Sequence, residues 1–95
     1  MKLISMTTCT HDFAEGYVET EKEYLRFSID MGKEAFIHAR FKKSEFRNYC
    51  HFAGVIGKFD PYAFILSKPI NISGLDLDEL VEIYRNTPEL RRFDE

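Results

Sequence analysis

Two short runs hold the residue types that do covalent and metal chemistry, Cys9-Thr10-His11 and Cys50-His51. Two thiols and two imidazoles are a zinc ligand set in kind. Their spacing departs from the Cys-x2–4-Cys and His-x3–5-His knuckles of structural zinc sites. On a helix, adjacent Cys50 and His51 point about 100° apart, too far for both to reach one tetrahedral ion. A catalytic thiolate needs an imidazole within hydrogen-bond reach. On a regular strand Cys9 and His11 share a face with Cβ atoms about 6.5–7 Å apart, beyond a direct bond. No Gly-x-Ser-x-Gly, P-loop or Gly-x-Gly-x-x-Gly is present. The sequence therefore predicts no catalytic residue, no metal and no cofactor. A small thiol-dependent enzyme using Cys9, His11 or His51 ranks third among the functional readings.

The second candidate is a basic, aromatic middle: Arg40-Phe41-Lys42-Lys43, Arg47, Tyr49, then Lys58-Phe59-Asp60-Pro61-Tyr62. Lysine and arginine beside aromatic platforms bind single-stranded nucleic acid, and Tyr62-Ala63-Phe64-Ile65 faintly echoes an RNA-recognition strand. The order of elements around it is wrong for that module. An acidic protein surface suits the same side chains. The predicted partner-binding residues are Arg40, Lys42, Lys43, Arg47, Lys58, Phe59 and Tyr62.

Charge is laid out in blocks. Residues 12–34 sum to −4, residues 38–68 to +4 and residues 76–95 to −4. The expectation is that neighbouring segments neutralise one another in the fold, as surface charge usually does. Within the first block, Glu19, Glu21 and Glu23 would share one face of a strand about 6.7 Å apart. Duplex DNA carries a charge per roughly 1.7 Å, so a DNA mimic is disfavoured. The whole-chain charge of −3 also disfavours a dedicated nucleic-acid coat.

These residues must be placed by a small scaffold. At 95 residues the chain is expected to form one domain, 1–95. It is 44% apolar, with nine Phe, five Tyr and no Trp, so aromatics are expected to build much of the core. No run is long enough to span a membrane. Met1 to Met6 is too short for a signal-peptide core, so the expected compartment is the cytoplasm, a host's if the protein is viral. Cys9 and Cys50 are expected as free, partly buried thiols.

Alternation of Leu25, Phe27 and Ile29, and then of Ala35, Ile37, Ala39 and Phe41, predicts a β-hairpin. Gly32 is expected to take the positive φ of a type I turn with a G1 bulge. Ser44 is expected to cap a helix whose stripe is Phe46, Tyr49, Cys50, Ala53 and Ile56, stopped by Gly57. A strand over 62–66 would end at Lys68-Pro69. Asp76-Leu77-Asp78-Glu79 predicts a capped helix over 76–85, with Leu77, Leu80, Val81 and Tyr84 inward. Thr87-Pro88 restarts a short helical turn, which Phe93 would pin to the body. Residues 2–7 are expected as a strand, and 17–23 as strand or loop. Either 62–66 or 17–23 would supply a free edge for dimerisation.

The fold expected is α+β, a small antiparallel sheet of three to five strands with two main helices on one face. The function expected is non-enzymatic macromolecule binding. The favoured version is a small inhibitor or regulator of phage or mobile-element type, for example an anti-defence, anti-CRISPR-like inhibitor that binds a protein complex or enzyme of a host. A nucleic-acid-binding regulator using the basic aromatic middle ranks second.

Overall fold

Period-two alternation of apolar side chains drives five segments of the chain into strands, as seen in a computed structural model that describes residues 1–91. Strands β1 (Lys2–Cys9), β2 (Ala14–Glu19), β3 (Glu23–Ile29), β4 (Ala35–Lys42) and β5 (Phe64–Asn71) form one antiparallel sheet in the order β4-β3-β2-β1-β5. Helix α1 (Tyr49–Phe59) lies between β4 and β5 in the chain, and α2 (Leu77–Asn86) follows β5. This is a five-stranded α+β fold with two helices. Phe93 lies outside the described residues.

The helices take opposite faces of the sheet, not one face as the sequence suggested. Alternation makes both faces apolar. Leu3, Val18, Leu25 and Phe27 point toward α2 and meet Leu77 and Leu80. Ile4, Tyr17 and Tyr24 point the other way and meet Phe52 and Ile56 of α1. Leu3, Val18 and Leu25 each sit beside one of the other set in sequence, so a single layer of helices would leave one of each pair in water. Tyr24 and Phe52 stack with ring centroids 3.9 Å apart and planes at 5°. Losing a buried aromatic of this kind costs about 3–5 kcal/mol.

β1 carries two irregularities. Its register against β2 shifts between Leu3 and Ser5 and again between Met6 and Thr8. These shifts bring Leu3, Met6 and Cys9, spaced by three, to the α2 face. At the first shift, the carbonyl of Ser5 lies over Gly16, where an added Cβ would stand 2.2 Å from that oxygen. Glycine is required there by close backbone approach.

The β3–β4 hairpin forms as expected, with one difference. Lys33 N–H donates to Asp30 C=O at 2.8 Å and closes the turn. The left-handed residue is then Lys33, at φ 59°, and no glycine has positive φ. The turn is the anticipated type with its bulge one residue later.

α1 starts later than Ser44 predicts. Lys43–Glu45 form a 3₁₀ turn, and Phe46 is extended. The true cap is Asn48, whose Oδ1 accepts from His51 N–H at 2.9 Å. The buried stripe is therefore Phe52 and Ile56, while Cys50 is exposed. Gly57 does not stop the helix, which runs to Phe59 with Asp60 as C-cap.

β5 runs past Pro69 because the strand bulges there. Leu3 pairs with Ile70 and Ser5 with Ile65, leaving four β5 residues against Ile4. Pro69 sits in that excursion, where the ladder does not ask for its missing N–H. α2 is capped by Asp76 through Glu79 N–H at 3.1 Å. The Glu79 carboxylate reaches back to Ser73 Oγ at 2.7 Å and to Ser73 N–H.

Residues 17–23 are the end of β2, a turn and the start of β3. They lie inside the sheet order and offer no edge. Glu19, Glu21 and Glu23 accordingly do not share a strand face. The edges are β4 and β5.

Candidate partner-binding surface

The end of β4, the 3₁₀ turn and the C-terminal half of α1 converge because three phenylalanines need one another. Phe41 leaves β4 toward the α1 face and contacts Phe46 (centroids 6.4 Å) and Phe59 (6.4 Å, planes at 20°). Phe46 also meets Tyr24 at 5.9 Å and Phe52 at 5.0 Å. Each of these three phenylalanines has a basic neighbour in sequence: Lys42, Arg47 and Lys58. Packing the rings thus ties the segments that carry these three cations to one aromatic cluster, with Lys42 alternating from Phe41 toward the α2 face.

The seven predicted binding residues divide into two groups. Arg40 donates to Glu23 at 3.1 Å, and Lys43 lies 3.2 Å from Glu19 with its ammonium 5.5 Å from the Tyr24 ring centre. Both are neutralised by the first acidic block, as the block pattern anticipates. Lys42, Arg47 and Lys58 are exposed, and no carboxylate lies within 4.0 Å of them among the described residues. Phe59 is 68% exposed and Tyr62 75% exposed. Tyr62 stands in the turn from α1 to β5, closed by Ala63 N–H to Asp60 C=O at 3.0 Å. A cleft of about 520 Å³ adjoins this end, lined by Glu21, Lys22, Glu23, Lys42, Lys43 and Ser44.

A second polar group escaped the sequence reading. Helix α1 covers only part of its face of the sheet. The rest is an open cleft of about 520 Å³, lined by Phe13, Glu15, Arg26, Ser28, His38 and Ala39. Arg26 donates to Glu15 at 2.6 Å, lies 3.8 Å from Asp60, and sits 5.8 Å from the Tyr17 ring centre. The Glu15 hydrogen bond pushes the Arg26 guanidinium further up from its ordinary value. Burial pushes the Tyr17 hydroxyl up. Alternation placed Arg26 and Ser28 on one face, but only the register reveals that Glu15 and the bulged His38 share it.

Ser28 Oγ and His38 Nε2 are 2.6 Å apart, the contact a nucleophile makes with its base. Among the described residues no hydrogen bond holds the other ring nitrogen. The ring thus lacks the orienting partner that such a base uses. The thiols do not meet: Cys9 is buried on the α2 face, beside a cleft of about 230 Å³ that includes His11, Tyr84 and Arg85. Cys50 is exposed on α1, across the sheet. His51 Nδ1 accepts from Arg47 N–H at 3.1 Å.

No described helix is long and apolar enough to cross a membrane. Compared with known protein families, curated proteins and solved structures, the chain matches none.

Proposed function

We propose that the protein is a non-catalytic binding module that docks an acidic surface of a protein partner through Lys42, Arg47, Lys58, Phe59 and Tyr62. The observation that carries this reading is three exposed cations without an ion pair among the described residues, borne with the exposed Phe59 and Tyr62 on the segments that flank one aromatic cluster, in a chain of net charge −3. Aromatic and arginine side chains dominate binding energy at interface centres, and surrounding charges steer encounter and select partners. Inhibition of a host complex, as by an anti-defence protein, is one role this surface would serve.

A second reading, single-stranded nucleic acid stacked on Phe59 and Tyr62, uses the same side chains. It is less favoured because the net charge of −3 weighs against a dedicated nucleic-acid surface. The two readings differ in salt dependence. Three phosphate contacts to a single strand give a log–log slope of about −2. The test is titration of fluorescent single-stranded DNA and RNA at low and moderate salt, alongside affinity capture of protein partners. The protein reading expects no nucleic-acid binding at low salt, and capture that falls when Lys58 and Arg47 are reversed to Glu. Tight nucleic-acid binding with that slope would overturn it.

A further inference from the structure

We infer that the free edge of β4 pairs with β4 of a second copy, joining two sheets into one of ten strands. Among the described residues β4 has a β-partner on one side only. It displays Phe36, 48% exposed, on the α1 face. An exposed strand edge is a template for pairing with another chain.

The sequence of β4 complements itself in one register. Overlapping Ala35–Lys42 fully with its antiparallel copy places a two-fold axis between His38 and Ala39, so position 35 faces 42, 36 faces 41 and 37 faces 40. In a straight strand these pairs would point to opposite faces. β4 is not straight: its register against β3 slips at His38, since Arg26 pairs with Ala39 but Phe27 with Ile37. That one-residue bulge restores the match. Phe36 and Phe41 then share the α1 face, as Ser28 and Tyr24 opposite them show, while Ile37 and Arg40 share the other. A shift of one residue either way breaks this agreement.

The side chains fit the pairing. Phe36 of one copy would lie beside Phe41 of the other, against the ring that Phe59 stacks upon, covering apolar surface now in water. Glu34 has no ion pair among the described residues. It would fall opposite Lys43 and next to Lys42 of the other copy. The two-fold runs perpendicular to the sheet, so both α1 helices stay on one face and Arg47, Lys58 and Tyr62 of both copies line one composite surface. The inference rests on β4 alone and survives if the proposed partner is wrong.

The test is register-specific cross-linking with sedimentation equilibrium. In a Cys50→Ser background, Ala35→Cys and Lys42→Cys are made as separate proteins. Opposed Cβ atoms are about 4.5–5.5 Å apart across antiparallel strands, close to disulfide reach. The expected result is a disulfide dimer on mixing the two proteins and little in either alone. Sedimentation of the wild-type chain should show dimer growing between about 5 and 200 µM. Phe36→Glu, checked for native circular dichroism, should weaken self-association at least tenfold. A wild-type chain monomeric throughout, equal cross-linking in the single-variant samples, or an unchanged dimer in Phe36→Glu would each overturn the inference.

Discussion

Replacing Ser5 by Ala should make the protein more stable. Ser5 is 0% exposed, on the face that α1 covers, and lies across from Tyr17 and Ile65. Its Oγ is buried and has no hydrogen-bond partner among the described residues. A buried hydroxyl left without a partner costs about 1–3 kcal/mol, because water satisfied it in the unfolded chain. Alanine keeps the Cβ and removes only the oxygen. The oxygen's dispersion contacts are lost, a smaller effect at about 0.1–0.2 kcal/mol each. The net expectation is a gain of about 1 kcal/mol, or a rise in Tm near 5 °C for a domain of this size. Urea unfolding followed by circular dichroism measures it, as a higher midpoint at unchanged slope. A loss of more than 0.5 kcal/mol (roughly the smallest net worth of a made hydrogen bond) would show that Ser5 does bond in the fold and refute the reasoning.

The same bulge gives an opposite expectation at its partner. Gly16→Ala puts a Cβ 2.2 Å from Ser5 O and 3.1 Å from Met6 Cα; both are backbone atoms, so stability should fall by about 3 kcal/mol in the same urea assay. Lys33→Gly removes a left-handed lysine at φ 59° and, although the exposed contact to Asp78 goes with it, Tm should rise by about 2–5 °C in calorimetry. Burial raises the Tyr49 hydroxyl, which donates to Leu66 C=O, to about 12 from 10.0. The fold thus favours its neutral form, so this stabilisation is whole below pH 10 and is lost as pH climbs to 12. After discounting for partial exposure it amounts to about 1 kcal/mol. Urea midpoints at pH 9 and pH 11.5 test it, and Tyr49→Phe should flatten the difference.

What the sequence revealed follows from where local rules and tertiary demands agree. Leu25, Phe27 and Ile29 alternate without interruption, and β3 sits inside the sheet, so the hairpin was legible. Leu3, Met6 and Cys9 share a face at a spacing of three only because β1 bulges twice, and no local signal announces a bulge. Ser44 is a good cap by type. Phe46 is instead held extended to reach Tyr24 and Phe41, so the helix waits for Asn48. Pro69 reads as a strand end, yet the wide excursion opposite Ile4 absorbs it. Both faces of the central strands are apolar, which is a sign of helices on two sides that a one-sided reading overlooks.

The proposed binding surface was legible as a segment and not as a shape. Blocks of opposite charge correctly pointed to mutual neutralisation, and Arg40–Glu23 and Lys43–Glu19 carry it out. Which cations stay uncompensated depends on the β3–β4 register and on Phe59 folding back over Phe41, and neither is written in composition. Arg26, Glu15, Ser28 and His38 were missed because they come from three strands and meet only across the sheet.

Docking of the partner through Lys42, Arg47, Lys58, Phe59 and Tyr62 is the proposed role of this surface. Its most direct measurement is quantitative affinity capture with two variants compared against the wild-type chain. One carries Arg47→Glu, Lys58→Glu and Tyr62→Ala. The other carries Arg85→Glu, an exposed cation on α2 across the sheet. The prediction is at least a tenfold loss of the captured protein in the triple variant, at unchanged circular dichroism, with wild-type recovery in Arg85→Glu. Equal recovery from both variants, or loss confined to Arg85→Glu, would rule out docking through this surface.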